Sequence, residues 1–427
     1  MHILVVNTSE STGGAAVAAS RLVDALNQHG AKARLLVRDK QTDRVTTVAI
    51  PARLRLRAAF LWERLCIWCA NRFRRRGLWA VDIANAGVDV TSLPEFREAD
   101  IIHLNWVNQG LLSMAQIERI LHSGKPVVWT LHDFWPVMSI CHHPADCTRD
   151  AKRCHDCPQL VAPHARDLSW RVFGQKLKAY DKAPLTFVAV SQWAAQRARR
   201  SALVGEHAVE VIPNIVPITL FHPLDKQQAR LQLGIPSGDR VVVFGAARID
   251  QPMKGLARLI QALRLLMDDL QTTTEGPSVT GLTLLLFGGC KDRSALAGIP
   301  CHCAYVGPVT DSRVLCQLYS AADVAVNASD YETFGLTLAE AMACGCTPVS
   351  FDQGGQLDII SHRVNGYLAH YPSIDDLAAG LKWAFEAGLS TEDQHRSIAV
   401  RFGEEAVARR HLNLYENLLH GRKLNLE

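Results

Sequence analysis

The sequence predicts an α/β protein of two doubly wound parallel sheets, and three observations carry that reading. A chain of 427 residues is long for one hydrophobic core. Its apolar runs fall into two series, each alternating with helical or loop stretches, the pattern of strands joined by crossover helices. Between the series lies the proline-rich stretch Pro213–Pro223, which reads as a linker.

The first series comprises Ile3–Val6, Ala33–Val37, Ile101–Leu104, Val127–Leu131, Leu185–Val190 and Val209–Ile212. Met1-His-Ile-Leu-Val-Val-Asn begins at once as a buried strand and lacks the charged start and cleavage site of a secretory leader. The second series comprises Val241–Phe244, Leu282–Phe287, Ala304–Val306, Val324–Val326 and Thr347–Phe351. With 48% apolar and 21% charged residues, a packed globular protein is expected and disorder is not. The apolar candidate Ala58–Ala70 is broken by Glu63 and Arg64, so it is not a membrane span, and a cytoplasmic location is expected. Twelve cysteines in such a chain read as reduced thiols or metal ligands and not as a disulfide framework.

Charge is divided unevenly. Residues 1–215 hold 28 Lys and Arg against 19 Asp and Glu, whereas the remainder holds 18 against 23. The densest basic stretch, Arg53–Arg76, encloses Phe60, Leu61, Trp62, Leu65, Ile67 and Trp68, a combination expected of an interfacial helix on the anionic inner face of the plasma membrane. The competing expectation is a helix that buries its aromatics against the domain while its arginines meet water or phosphate. Nucleic acid is excluded as a partner because the patch carries no reading module.

The chemistry concentrates in Glu332-Thr-Phe-Gly-Leu-Thr-Leu-Ala-Glu340, two carboxylates eight residues apart. Eight residues at helical rise span roughly 12 Å, a reach suited to two parts of one elongated ligand. Free backbone N–H groups near Phe334, Gly335 and Leu336, where a helix opens, can receive phosphate. Upstream, the strand Val241–Phe244 runs into Arg248 and then Lys254-Gly255, two cations at a strand end that can neutralise a diphosphate without a metal. Taken singly, each of these residues reads equally as a solvated surface charge.

Together they resemble the large family of retaining glycosyltransferases of the GT-B fold, family 4, over nearly the whole length. The resemblance also rests on Gly13-Gly14 after the first strand, His132 in Trp129-Thr-Leu-His-Asp, Val190-Ser191, Val211-Ile-Pro-Asn214, Tyr305-Val306-Gly307, the Leu318–Asp323 run and Gly354-Gly355. It implies two Rossmann-like domains facing an interdomain cleft. Residues 1–213, with a C-terminal crossover helix at about 403–427, would form the acceptor side, and residues 214–402 would bind a nucleotide-sugar donor. By the same resemblance Arg248 and Lys254 grip the donor diphosphate, Glu332 contacts the transferred sugar, and Glu340 accepts from the ribose. Val306, Gly307, Phe334, Gly335 and Leu336 would line the donor. Gly13 and Gly14 would allow close approach of phosphate and acceptor. His132 would face donor sugar or acceptor without acting as a simple general base, with Asp133 orienting it. No metal cofactor is required for catalysis on this reading, in keeping with a sequence that has no Asp-x-Asp triplet. Ile215 and Asp358 depart from the family pattern, which often has Gly and Glu there.

Four thiols, Cys141, Cys147, Cys154 and Cys157, follow His132 within a seventeen-residue stretch whose final Cys-x-x-Cys has zinc-ligand spacing. A structural zinc is one expectation, free buried thiols a second and a redox disulfide a third. The segment His132-Asp-Phe-Trp with these cysteines resembles the colanic acid and exopolysaccharide subgroup, which implies a lipid-linked growing glycan as acceptor. Two rivals stand beside transfer: a nucleotide-sugar epimerase-like enzyme, and a non-catalytic scaffold subunit of the same fold. A dehydrogenase is disfavoured because Ser11-Thr-Gly-Gly14 stands where Gly-x-Gly-x-x-Gly would be needed.

Overall fold

The computed structural model describes residues 1–75, 77–273 and 281–421. Arg76, at the end of the basic stretch, and residues 422–427, at the end of the expected crossover helix, lie outside the described residues. The chain divides into two compact units, Met1–Pro213 together with the segment from Val407 onward, and Asn214–Ala406.

The first unit is built on seven strands: β1 (His2–Ser9), β2 (Lys32–Asp39), β3 (Thr47–Ala49), β4 (Ile101–Leu104), β5 (Val127–Leu131), β6 (Leu185–Ala189) and β7 (Val209–Val211). They pair in parallel in the order β3-β2-β1-β4-β5-β6-β7. Because β4, β5 and β6 are buried on both faces, they read as mainly apolar runs, each with one polar residue, His103, Thr130 and Thr186. Capping residues set where helices begin: Ser113 forms a capping box with Gln116, and Ser191 accepts from Ala194 N.

The second unit has six parallel strands, β8 (Arg240–Arg248), β9 (Leu282–Gly289), β10 (His302–Gly307), β11 (Val324–Asn327), β12 (Thr347–Phe351) and β13 (Tyr367–Ala369), ordered β10-β9-β8-β11-β12-β13. Its core joins Val242, Phe244, Leu284, Leu286, Val326 and Phe351 to the inward faces of the flanking helices. Both sheets are of the doubly wound, Rossmann-like kind. β3 and β13 lie outside the two series of apolar runs. Each is only three residues long and is defined by its pairing, Leu35 with Thr47 and Val349 with Tyr367, since so short a run has no period of its own.

Helix Glu404–Leu419 buries Val407, Ala408, His411, Leu414 and Tyr415. Tyr415 Oη lies 2.5 Å from Nδ1 of His103 on β4, within the first unit. Among the described residues no helix is long and apolar enough to cross a membrane.

Candidate functional site

In the second unit β8 ends on Arg248, and the chain then turns through Pro252–Lys254 and Gly255 into helix Leu256–Thr273. Gly255 has φ +76°, and a Cβ there would stand 1.9 Å from the carbonyl oxygen of Ala328 just past β11. Only glycine lets the two loops touch so closely. Met253 O accepts from Asp330 N at 2.9 Å, which ties the loops a second time. The consequence is direct contact between two residues singled out from sequence: Lys254 Nζ lies 2.7 Å from Glu332 Oε1. Ser329 Oγ donates to the same oxygen at 2.8 Å, while Glu332 Oε2 makes no hydrogen bond among the described residues. Both charged side chains keep about a quarter of their surface or less, 22% and 24%.

Glu332 is also held from behind. Gly355 N donates to Glu332 O at 2.7 Å. A Cβ on Gly354 would come within 2.7 Å of that oxygen, and one on Gly355 within 2.3 Å of Thr333 O. The glycine pair is therefore a packing surface for the Glu332 loop.

Arg248 differs from the expectation of a free cation. Its Nε and Nη2 grip Asp250 Oδ1 and Oδ2 at 3.0 and 2.7 Å, and Asp250 Oδ2 accepts from Lys291 N and Asp292 N as well. The bond from Arg248 holds the Asp250 carboxyl well below its usual range. The two cations thus arrive each paired with a carboxylate, because backbone donors fix Asp250 and a tight turn delivers Lys254 to Glu332.

Helix Leu336–Ala343 opens at Gly335, which has a φ of +102° and supplies no side-chain cap. Since only Leu336 onward is helical, the expected helical rise does not separate Glu332 from Glu340. Glu340 is 4% exposed and accepts from Tyr319 Oη at 3.2 Å. The Phe334 ring is buried and meets Phe402 edge-on at 5.3 Å, so it anchors the turn and leaves the open surface to Thr333, Leu336 and Thr337. Val306 is 43% exposed, and Gly307 has φ +87° at the carboxyl end of edge strand β10. Sequence reasoning missed Ser329, Asp250 and Gln356. The first two lie three and two residues from partners already singled out. Gln356 sits fully buried beside Gly335, and its side-chain amide makes no hydrogen bond among the described residues.

In the first unit the expected residues lie at the carboxyl ends of β1 and β5. Gly13 has φ +91°, and a Cβ on either Gly13 or Gly14 would meet nothing within 4 Å. The surface at this loop is therefore open. His132 follows β5, with Nε2 2.7 Å from Asn105 Oδ1. Burial brings its imidazole down to about 4, so it is neutral at pH 7.

Asp133 does not orient it. Its carboxylate accepts instead from Trp106 Nε1 at 2.7 Å and Trp135 N at 2.9 Å and pairs with His142 Nδ1 at 2.7 Å. His142 Nε2 in turn lies 2.6 Å from Asp82, which also pairs with Arg64. Burial alone would push Asp133 up, but the His142 cation overrides it and holds the carboxyl at about 2. Burial would likewise lower His142, yet the two carboxylates raise it to about 10.

Cys141, Cys147, Cys154 and Cys157 line one cavity of about 20 Å³. Burial pushes Cys154 up to about 12 and Cys157 up to about 11, and raises Cys141 further. Four sulfurs fit zinc in kind. As placed, however, no group of three or more His, Cys, Asp or Glu side chains among the described residues is arranged to hold a metal ion.

Residues 12–220 match the family model Glycosyltransferase Family 4, and residues 225–400 match Glycosyl transferases group 1. Among curated relatives, the D-inositol 3-phosphate glycosyltransferase of Mycolicibacterium gilvum is 29% identical over 281 residues, covering 64% of this chain and 60% of the relative. The protein of the same name from Geodermatophilus obscurus is 36% identical over 180 residues, covering 40% and 39%. The match spans about three fifths of the length of the first of these relatives. Among solved structures, sucrose-phosphate synthase from Thermosynechococcus elongatus has a TM-score of 0.68 at 19% identity, covering 99% of this chain and 100% of that one. Anabaena Alr3699/HepE in complex with UDP has a TM-score of 0.62 at 18% identity, covering 98% and 100%. At these identities the structures establish a shared GT-B fold.

Proposed function

From a chain that carries a glycosyltransferase family 4 domain followed by a glycosyl transferases group 1 domain, we propose a retaining glycosyltransferase that moves a sugar from a nucleotide-sugar donor to an acceptor without a catalytic metal. The observation that carries this reading is the Lys254–Glu332 contact, held from two sides by Gly255 and the Gly354-Gly355 pair. Lys254 meets the donor diphosphate with an ammonium already oriented by Glu332. As the glycosidic bond breaks, negative charge grows on the diphosphate, and Lys254 with the remaining donors of Arg248 stabilises it. Exchange of Lys254 onto phosphate leaves Glu332 free to accept from the sugar hydroxyls, for which Oε2 is already open. Neutral His132, in the first unit, offers a hydrogen bond without a positive charge.

For the acceptor we carry the reading of a lipid-linked glycan in exopolysaccharide assembly, worked on at the inner face of the plasma membrane through the stretch Arg53–Arg76. A phosphorylated inositol is the second reading, favoured by the names of the curated relatives. A structural zinc at the four thiols belongs to the same proposal, supported by their common cavity, and requires the side chains to draw together.

The test is transfer itself. Protein incubated with a panel of nucleotide sugars and either a polyprenyl-diphosphate glycan or inositol 3-phosphate is expected to release nucleoside diphosphate and yield a glycosylated acceptor. Isomerised donor without acceptor product would favour an epimerase-like enzyme, and no donor binding at all would favour a scaffold.

A further inference from the structure

Helix Arg53–Ala70 is packed inside out. Its inward face buries Glu63 and Arg64, 0% and 6% exposed, beside Leu56, Ala59 and Ile67. Those charges are largely partnered there: Glu63 Oε1 accepts from Ile83 N and Ala84 N at 2.8 and 2.7 Å, Arg64 donates to Leu78 O and Val81 O, and the two side chains pair at 3.2 Å, leaving Glu63 Oε2 and Arg64 Nε without a hydrogen bond among the described residues. Gly110, with φ +78°, lies so close that a Cβ would stand 2.5 Å from Phe60 N, which presses the helix onto its unit.

The outward face carries Leu54, Leu61, Trp62, Leu65 and Trp68, exposed by 80, 65, 55, 44 and 36%. Positions 54, 61, 65 and 68 recur at helical spacing and make one apolar stripe. Phe73, 64% exposed, extends it by meeting Trp68 edge-on at 4.9 Å. A contiguous exposed apolar stripe over buried charges reverses the order that water imposes on a surface helix.

The start of the same helix has the wrong charge for its dipole. Arg53 and Arg55 occupy its opening turn with Arg57 just beyond, and the turn has neither an acidic residue nor a side-chain cap. Positive charge at a helix N-terminus is unfavourable, and so are like charges one turn apart. Arg53 and Arg57 form no ion pair among the described residues. Together with Arg38 and Lys40 they line a cavity of about 470 Å³. Its one acid, Asp39, is taken by Arg38 at 2.6 Å.

We propose that this cavity takes the phosphate headgroup of an anionic lipid while the stripe Leu54–Trp68 lies in the bilayer surface, so that the helix docks the first unit on a membrane headgroup by headgroup. The charge of the cavity selects the phosphate, and the apolar stripe selects a lipid surface over a free anion. The inference deepens the acceptor reading above and rests on it only for the place of the chemistry, not for the binding itself.

The test uses the full chain without donor or acceptor, so a failure of sugar transfer leaves its result intact. Co-sedimentation is measured with phosphatidylglycerol vesicles and with phosphatidylcholine vesicles. The protein is expected to sediment with the first and not the second. Arg53→Gln with Arg57→Gln, and separately Trp62→Ser with Trp68→Ser, are each expected to weaken binding roughly tenfold or more. Leu231→Ser, at an 80% exposed position in the other unit, is the control expected to bind unchanged. In unsubstituted protein, tryptophan fluorescence is expected to be quenched by brominated phosphatidylglycerol, a readout that depends on no variant folding. Equal binding to both vesicles, equal binding by the arginine variant, absence of quenching, or a stable lipid-free dimer that hides the stripe would each overturn the proposal.

Discussion

Lys254 Nζ and Glu332 Oε1 lie 2.7 Å apart, joining the loop after β8 to the loop after β11 across 78 residues of sequence. Residues assigned to adjacent parts of one ligand, its diphosphate and its sugar, therefore act as a unit. Lys254→Ala and Glu332→Ala are each expected to lower turnover by roughly two to three orders of magnitude. The double variant should lose little more, because either single change already leaves its partner mis-set. Folding stability should move by no more than about 1 kcal/mol, since the pair is partly exposed and screened. Initial rates and urea midpoints of the three variants check this, and fully additive losses in rate would argue against coupling.

The glycines divide into two kinds. Gly255→Ala meets both a φ of +76° and a carbonyl 1.9 Å away, so it is expected to destabilise the second unit by roughly 1 to 3 kcal/mol or more and to abolish donor binding. Gly14→Ala has open space and no positive φ, so its urea midpoint should match the parent protein. An unfolding midpoint for Gly255→Ala equal to that of the parent would contradict the tight loop contact.

Acid should weaken the first unit. His132 is brought down to about 4 and His411 to about 3 by burial, against an ordinary value of 6.5. Below pH 6.5 the unfolded chain binds protons that the folded chain refuses, so unfolding free energy falls as pH drops from 6.5 toward 4. Each such histidine contributes a slope of about 1.4 kcal/mol per pH unit in that window. His411→Phe is expected to flatten the acid limb measured by urea denaturation at a series of pH values. An unchanged slope would place the proton uptake elsewhere.

Much of the fold was legible because central parallel strands, buried on both faces, are mainly apolar runs. Edge strands β3 and β13, unlike the equally short β7 that was read with Ile212, were not, since they are defined by pairing with their neighbours. In the candidate site the glutamates and cations could be read from spacing, whereas their pairing could not. Asp250 claims Arg248 because backbone donors from Lys291 and Asp292 hold it there, a relationship across some forty residues. Asp133 stands next to His132 in sequence yet points to Trp106 and His142, since adjacent residues at a strand end face opposite sides. Helix Arg53–Ala70 buries one face on its unit but leaves Trp62 and Trp68 outside, so the expectation that its aromatics are buried does not hold for these two.

For the thiols, protein purified without chelator under reducing conditions is expected to carry about one zinc per chain. Iodoacetamide should then modify exposed Cys69 well before Cys141, Cys154 or Cys157. Metal content well under one equivalent would leave four buried thiols and remove the ion.

The most direct measurement is calorimetric titration of a nucleoside diphosphate, and of its sugar-bearing form, into the parent protein, Lys254→Ala and Glu332→Ala. The expected result is that Lys254→Ala loses most affinity for both ligands, while Glu332→Ala, which keeps the ammonium but no longer orients it, weakens the diphosphate modestly and loses the extra affinity contributed by the sugar. Parent-like binding of both ligands by both variants would contradict a donor site built on the Lys254–Glu332 contact.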